Sequence, residues 1–587
     1  MTEKLTGNEA VARGIYEAGV EIATSHPGTP SNGIIEILVQ YDDIYVEWSV
    51  NEKVAAEVAI GASIAGKRSI VVLKNVGLNV ASDPLIHYSY TGVNAGFVVV
   101  VVDEAGCYYS DTEQDNRYYA RLMKMPMLEP ANHQEAKDFI KLAFEMSEKF
   151  DTPVFYRLMA PLCHSKGEVE SLRVKKKKEI LSKLDTLLFS RLLGKESKFG
   201  IYCDYYHGRP KKMINRVQDI SNYVEKFPGN DIQVTGHKYG IITSGPVYYD
   251  AKKCFPEYSY FKLGVVYPLP FKNIIDFSRK IEKLYVLEEL DSFLEEQLKA
   301  EGIQVYGKNI FPKHGTLSQE VIKKSFNREQ IAFRTGKPEN RKMCAGCPYR
   351  GLFYALKQVL PKSRKYFVAG DVGCDHHAEL KPFSFMDSQI AMGSSIGNIA
   401  GFQQATQLKY SVAIIGDGAF LHSGMNALLN MVYNKSKGTI IVLDNGAEAT
   451  VNGQSHAGSG YTLRGESAKK IDYVKLCEAL GVEYVRTVDP YNLSQTQIIL
   501  KEELNREALS VIISSAPCVK YVRKSTIGEP KSVDLDKCVG CGTCLDVSCP
   551  AIHLKGKMIW HRKSQIDTEQ CIGCGVCSQV CPYGAII

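Results

Sequence analysis

The chain has 587 residues, of which 45% are hydrophobic and 23% charged, and a formal net charge of +6. One hydrophobic core does not serve a chain of this length, so roughly three to five domains are expected. The small net charge does not indicate nucleic-acid binding, and the most basic stretch, residues 173–178, is interpreted as a solvated linker. Without a signal sequence or an apolar run of ~18 residues, a cytoplasmic protein with no membrane partner is expected.

Residues 1–190 are predicted to form a first α/β domain. Apolar runs at 69–73, 97–102 and 153–156 alternate with amphipathic stretches such as 136–148. This alternation is typical of a parallel sheet covered by helices.

Two further α/β domains are predicted at residues 191–334 and 335–527. The second contains strand-like runs at 239–245 and 284–287. The strands of the third are predicted at 366–369, 411–415, 439–443 and 509–514.

The third domain carries a pattern typical of thiamine diphosphate sites. One strand leads into Gly416-Asp417-Gly418, and 28 residues after Asp417 a second strand leads into Asn445. A carboxylate and an amide oxygen at neighbouring strand ends suit Mg²⁺ that bridges to a diphosphate. The side chains of Asp417 and Asn445 and the carbonyl of Ala447 are therefore the predicted metal ligands, with Gly418 allowing close approach of the diphosphate.

Taken alone, Gly-Asp-Gly is most often a plain turn, and the matching second strand is what makes the pattern specific. The segment Met392-Gly393-Ser394-Ser395-Ile396-Gly397 allows two interpretations. In one, Gly393 and Ser394 cradle a phosphate at the start of a helix; in the other, the glycines permit tight helix packing.

Seventeen cysteines without a secretion signal indicate thiolate ligands rather than disulfides. Four of them are grouped in the third domain: Cys344, Cys347, Cys374 and Cys518. From spacing alone an iron–sulfur cluster, a zinc site and unrelated buried thiols all remain open for this group.

The last domain, residues 528–587, has the two cysteine runs of a ferredoxin with two [4Fe–4S] clusters. Three cysteines of one run and the proline-linked cysteine of the other ligate each cluster. The first predicted set is Cys538, Cys541, Cys544 and Cys581, and the second is Cys571, Cys574, Cys577 and Cys549. Zinc knuckles are the alternative. Four residues separate Cys544 from Cys549 where three are usual, so a small bulge is expected there.

Several segments resemble the thiamine-dependent 2-oxoacid:ferredoxin oxidoreductases, and among them most closely the alpha subunits of indolepyruvate ferredoxin oxidoreductase. The resemblance covers the whole chain, and its most specific segments are 26–31, 47–53, 76–79, 113–119 and 344–351 with the ferredoxin tail. It implies a pyrimidine-binding domain, a transketolase-C-terminal-like domain, a diphosphate-binding domain and a ferredoxin domain, in that order. It also implies a small beta subunit that completes the coenzyme A site, a hetero-oligomer such as (αβ)2, and free ferredoxin as electron acceptor.

The same resemblance assigns residue roles. Glu52 matches the acid that activates the cofactor through its pyrimidine ring, although Glu57 competes on sequence alone. Thr29 matches a threonine that faces the substrate, and Arg117 is a candidate to hold the substrate carboxylate. Cysteines matching the Cys344 group ligate a third cluster in the family.

Four segments depart from the family pattern. Asn75 stands where relatives have histidine, and Pro161 replaces an arginine. Residues 375–379 and 444–450 also differ, and all four segments are expected near the cofactor or substrate. The substrate pocket is therefore interpreted as altered.

The function predicted is oxidative decarboxylation of a 2-oxoacid, arylpyruvate-like by resemblance, to acyl-coenzyme A, with electrons leaving through [4Fe–4S] clusters. Two alternatives stay open. In the first, the same scaffold acts on another 2-oxoacid or in the reductive carboxylation direction. In the second, the chain is an electron-transfer subunit with a vestigial thiamine site.

Overall fold

The computed structural model describes residues 2–170, 199, 205–331, 343–406, 408–522, 527–556 and 562–587. The chain divides into two compact units, residues 1–335 and 336–587. The predicted boundaries at 190 and 334 and the basic stretch 173–178 lie outside the described residues. None of the described helices is both long and apolar enough to cross a membrane.

A seven-stranded sheet forms the centre of the first unit. In spatial order its strands are Val265–Tyr267, Met127–Leu128, Val154–Met159, Phe97–Asp103, Ser69–Lys74, Ile22–Ser25 and Tyr45–Trp48. All neighbours are parallel except the first pair. The strand Phe97–Asp103 is buried at every position, as expected when helices cover both faces of a parallel sheet.

A smaller sheet holds the later part of the first unit. It orders Lys283–Leu287, Tyr239–Ser244, Ser259–Leu263 and Asp231–Gln233, of which only the last is antiparallel. A two-stranded antiparallel sheet pairs Thr2–Thr6 with Lys166–Glu170. The helices of the unit are Gly7–Glu17, Asn32–Leu38, Glu52–Ile64, Gly77–Thr91, Arg117–Met123, His133–Phe150, Ala160–His164, Tyr205–Val224, Val247–Cys254, Phe271–Ser278, Phe293–Ala300 and Gln319–Phe326.

The two predicted domains of this unit share one core. The strand Val265–Tyr267 joins the first sheet antiparallel to Met127–Leu128. Phe155 of the first segment and Phe261 of the second belong to the same buried apolar cluster. Burial of this shared surface from water makes residues 1–331 one compact body within the described chain.

The second unit is built on a six-stranded, fully parallel sheet. Its order is Ser388–Gln389, Tyr366–Gly370, Tyr410–Gly416, Gly438–Asp444, Leu509–Ser515 and Tyr484–Val488. Its helices are Tyr349–Val359, Ser395–Thr406, Asp417–Ala419, Met425–Tyr433, Tyr473–Ala479, Leu493–Asn505 and Val576–Val580, with a π-helical turn at Phe420–Gly424. Short 3-10 turns occur at Cys374–Ala378, Ala449–Val451 and Thr543–Val547. The strands predicted for the first three domains are all present, most of them extended by a residue or two.

The ferredoxin segment packs within the second unit. Its two strands, Ile552–Lys555 and Lys563–Ile566, pair antiparallel, and Val547 and Val576 share a core with Leu493 of the preceding segment. The extra residue before Cys549 is accommodated where a 3-10 turn ends, because Ser548 takes a left-handed conformation with φ of 55°. The expected bulge is therefore a local change of backbone direction.

Candidate functional site

In the first unit, the candidate residues lie at the carboxyl ends of neighbouring parallel strands. Thr29 follows the strand Ile22–Ser25, Glu52 follows Tyr45–Trp48, and Lys74 ends Ser69–Lys74. Ligands of open parallel sheets bind at this edge because the connecting loops converge there.

Glu52 is a buried carboxylate at this edge. It begins the helix Glu52–Ile64, which Asn51 caps by accepting a hydrogen bond from the Val54 N–H at 2.9 Å. The residue is only 7% exposed, whereas Glu57, its competitor, is exposed on the same helix. A Cβ atom at Gly77 would come within 2.8 Å of Glu52 Oε1, so glycine is required there for the carboxylate to keep its position. Burial thus favours Glu52 over Glu57 for the cofactor-activating role.

Lys74 is a cation that the sequence analysis did not single out. Its alkyl chain packs against Gly28, next to Thr29, and its ammonium donates to the Tyr109 carbonyl at 3.2 Å. Burial lowers the pKa of Lys74, while the negative charges of Glu104, Asp111 and Glu52 oppose that shift. Lys74 forms no ion pair with any carboxylate in the described part of the chain. It is therefore a half-buried cation available to an anionic ligand.

Arg117 has other partners than the predicted substrate. It is 1% exposed and forms ion pairs with Asp115 and, at 2.7 Å, with Glu288. Its remaining donor contacts go to the carbonyls of Glu289 at 3.0 Å and Asp291 at 3.2 Å. With every guanidinium nitrogen engaged by protein oxygens, the expectation that Arg117 grips a substrate carboxylate does not fit this placement. Sequence alone gave no sign of this, because Glu288 lies 171 residues away.

In the second unit, Asp417 and Asn445 meet as the spacing predicts. Asp417 is 2% exposed, and its Oδ2 accepts the N–H groups of Asn445 at 3.1 Å and Gly446 at 2.7 Å. Asn445 accepts the Ala447 N–H at 2.9 Å through Oδ1. The buried carboxylate and amide oxygens form a hard-oxygen set that fits a divalent cation.

Neighbouring groups complete this edge of the second sheet. The Asn445 side-chain amide donates to the Tyr349 hydroxyl, and His456 Nε2 lies 3.3 Å from Asp417 Oδ2. Although burial alone would lower it, the pKa of His456 is raised by Asp417. Neither residue carried a recognisable motif, and only the fold shows their proximity to the predicted metal ligands.

The glycines near Asp417 differ in what they permit. Gly418 lines the same cavity as Asp417 and Asn445, and a Cβ atom there would overlap the Glu448 carboxylate. Gly393 instead packs against Ser423, and its N–H donates to Asp371 at 2.7 Å.

The Ser395 N–H also donates to Asp371, at 3.2 Å, and the Ser394 hydroxyl accepts from the Ala391 N–H. A protein carboxylate therefore takes the N–H groups on either side of Ser394. This placement favours the packing interpretation of the segment over a phosphate cradle at Gly393 and Ser394.

Asp375, in one of the divergent segments, lines the cavity of Asp417 and Asn445. Burial raises the pKa of Asp375 to about 8, and its Oδ2 accepts the Asp371 N–H at 2.6 Å. The departure from the family pattern indicates this segment, but the burial of its carboxyl group is visible only in the structure.

The Cys344 group converges beside Asn445. Burial raises the pKa of Cys374 to about 12, and the neighbouring thiols of Cys347, Cys518 and Cys344 add to the shift. The Cys518 N–H donates to the Asn445 carbonyl at 2.9 Å. The structure thus brings these four cysteines close together and joins them to the Asp417 site.

The ferredoxin cysteines separate into the two predicted sets. One cavity is lined by Cys538, Cys541, Cys544 and Cys581, and another by Cys549, Cys571, Cys574 and Cys577. Backbone N–H groups point at the sulfurs, from Ser564 to Cys538 at 3.4 Å and from Lys531 to Cys571 at 3.3 Å. Four thiols around one cavity, with N–H···S hydrogen bonds, match the donor set of a [4Fe–4S] cluster.

Three protein-family models match the chain. Residues 13–191 match the thiamine-diphosphate-binding domain of pyruvate flavodoxin/ferredoxin oxidoreductases, residues 371–514 the C-terminal domain of thiamine pyrophosphate enzymes, and residues 530–582 a 4Fe-4S dicluster domain. Fold and site together define a thiamine-dependent 2-oxoacid oxidoreductase that transfers electrons through iron–sulfur clusters.

Curated relatives specify the family. Indolepyruvate oxidoreductase subunit IorA of Archaeoglobus fulgidus is 34% identical over 94% of this chain and 93% of its own length. The subunits of the same name from Methanothermobacter thermautotrophicus and Pyrococcus horikoshii are 34% and 31% identical, each over 99% of this chain and 96% of their own. The chain belongs to this family of alpha subunits of 2-oxoacid:ferredoxin oxidoreductases. The predicted fold class, thiamine diphosphate and [4Fe–4S] binding are confirmed.

Proposed function

We propose that the protein oxidatively decarboxylates an arylpyruvate to an acyl-coenzyme A and passes the electrons to ferredoxin. The observation that carries this proposal is that the Asp417 and Asn445 residues, the Cys344 group and the ferredoxin cysteines contact one another in series inside the second unit. Cys518 is hydrogen-bonded to Asn445, and the loop of Cys344 and Cys347 contacts the second ferredoxin set. A thiamine site joined to an electron path supports an active oxidoreductase over a vestigial thiamine site.

The metal that anchors the cofactor is proposed to be Mg²⁺, held by Asp417, Asn445 and the Ala447 carbonyl. When bound, thiamine diphosphate supplies the carbon nucleophile for the keto group. Glu52 is proposed to exchange a proton with the pyrimidine ring of the cofactor, a role that suits a carboxyl group shielded from water. Thr29 retains its proposed place facing the substrate.

Three clusters are proposed. One lies on the Cys344 group, called the Cys344 set below, one on the ferredoxin set that contains Cys549 (the Cys549 set), and one on the ferredoxin set that contains Cys538 (the Cys538 set). Ala345 and Gly346, between Cys344 and Cys347, line the cavity of the Cys549 set, and a Cβ at Gly346 would overlap Ile572. The Cys538 set instead lies beneath the exposed side chains of Val539 and Tyr583. We therefore order the electron path from the Cys344 set to the Cys549 set, then to the Cys538 set and out to ferredoxin.

The substrate carboxylate is proposed to pair with Lys74, because this half-buried ammonium lacks a carboxylate partner among the described residues. An aromatic side chain is proposed from the names of the relatives. A separate beta subunit is proposed to complete the coenzyme A site, also on the ground that the relatives are named as subunits.

Anaerobic purification followed by iron, sulfide and thiamine analysis tests the cofactor content. Three sets of four cysteines predict about twelve irons per chain, with one thiamine diphosphate. A content of about eight irons would contradict the proposed cluster on the Cys344 set, and a Cys518→Ala variant would then leave the iron content unchanged. Full iron content without thiamine binding would favour the vestigial alternative.

A further inference from the structure

Arg350 lies between two of the three cysteine sets. It stands in the first turn of the helix Tyr349–Val359 and is 1% exposed. Its Nη2 donates to the carbonyls of Cys344 at 2.7 Å and Met343 at 3.2 Å, and its Nη1 donates to the Val547 carbonyl. One guanidinium therefore fastens the loop of the Cys344 set to the ferredoxin segment just before Cys549.

The third donor of this guanidinium has no protein partner. The Nε–H is buried and has no hydrogen-bond acceptor among the described residues. Arg350 also forms no ion pair with any described carboxylate. A buried cation and a buried N–H donor are both costly unless a negative acceptor compensates them, so this arrangement calls for an anionic group nearby.

Cysteines of two cluster sets lie beside this charge. The backbone N–H of Arg350 donates to the Cys347 carbonyl at 3.2 Å, in the same loop whose Cys344 carbonyl accepts from Nη2. The Val547 carbonyl that accepts from Nη1 lies two residues before Cys549, and Gly346 of the Cys344 loop lines the cavity of the Cys549 set. The cation therefore lies beside the segments that carry both sets.

We propose that Arg350 raises the reduction potentials of the clusters on the Cys344 set and the Cys549 set, called the two inner clusters. Its Nε–H donates to a sulfur of the cluster on the Cys344 set. This inference rests on the proposed presence of three clusters. Each one-electron reduction adds a negative charge to a cluster, and a nearby buried cation stabilises the reduced state more than the oxidised one. Hydrogen bonds to cluster sulfur raise the potential in the same direction.

Arg350 affects two of the three proposed clusters. Arg350 raises the potentials of the clusters on the Cys344 and Cys549 sets together, because it contacts the segments that carry both. The cluster on the Cys538 set lacks this contact and serves as an internal reference. Arg350 is thus a positioning residue that acts through the clusters and has no contact with the Asp417 site in the described hydrogen bonds.

The test compares Arg350→Gln and Arg350→Lys with the exposed Arg364→Gln in the full chain. Redox titration followed by electron paramagnetic resonance measures the potential of each cluster. Arg350→Gln is expected to lower the potentials of the two inner clusters while the third stays unchanged. Arg350→Lys keeps the charge without the planar fork and is expected to lower the potential of the Cys344-set cluster more than that of the Cys549-set cluster.

Iron content separates the possible failures. A parent chain with about eight irons contradicts the three-cluster proposal itself. A parent chain with about twelve irons, and Arg350 variants with unchanged potentials, overturns the role of Arg350 alone. If Arg350→Gln loses iron that Arg364→Gln keeps, the potentials of the Arg350→Lys protein decide, and unchanged values there also reject the proposal.

Discussion

Replacing Arg117 by methionine should destabilise the first unit strongly. Methionine keeps an apolar stem against Phe293, whose ring centre lies 5.2 Å from the Arg117 guanidinium carbon. It removes the ion pairs to Asp115 and Glu288, both of which are buried. Removing one partner of such a pair leaves uncompensated buried charge, which typically costs about 3–5 kcal/mol.

The cost should depend on pH in a defined direction. Although burial would raise it, Arg117 holds the pKa of Asp115 below its ordinary value, so this pair stabilises the parent above the unfolded pKa of the carboxyl. Burial already raises the pKa of Glu288 despite Arg117. Without the cation both carboxyls bind protons more readily in the folded state, so the deficit should grow as pH rises from about 5 to 8.

Tryptophan fluorescence reports the effect on the correct unit. The chain has two tryptophans, and in a Trp560→Phe background the remaining Trp48 ends a strand of the first sheet. At roughly 2 °C per kcal/mol for a body of this size, the unfolding midpoint should fall by about 6–10 °C. Arg121→Met, an exposed change on the same helix, should move it little.

The opposite result would refute this account of Arg117. If Arg117→Met unfolds at the same temperature as Arg121→Met while the KM for the 2-oxoacid rises many-fold, Arg117 serves the substrate and its ion pairs are dispensable.

Four other predictions concern the cofactor and the substrate. Asp417→Ala should abolish or severely weaken thiamine diphosphate binding in calorimetry at fixed Mg²⁺, and unchanged affinity would reject the metal assignment. Glu52→Gln should retain the cofactor yet slow deuterium exchange at its thiazolium C2 by ~10² to 10⁴. Gly77→Ala should slow the same exchange by displacing the Glu52 carboxylate, while Gly61→Ala, which meets no neighbour, should not. Lys74→Met should raise the KM for the 2-oxoacid by about tenfold or more, and an unchanged KM would send the search for the carboxylate partner elsewhere.

The sequence was most informative where chemistry depends on local spacing. The ferredoxin cysteines fall into their two sets because neighbouring ligands must reach one cluster, and a proline-linked cysteine must reach the other. Asp417 and Asn445 were predictable for a related reason, since adjacent parallel strands bring their carboxyl ends to one edge. In each case periodicity and spacing limit the geometry before any tertiary contact is known.

The tertiary structure decided what depends on contacts between distant segments. The sequence predicts that Arg117 holds the substrate, whereas in the structure Arg117 pairs with Glu288, which follows the strand Lys283–Leu287 of the small sheet. Lys74 and Arg350 became informative through what surrounds them, a lack of carboxylate partners in one case and two cysteine sets in the other. Burial and charge compensation are sums over all neighbours in space, and a linear sequence does not specify those neighbours.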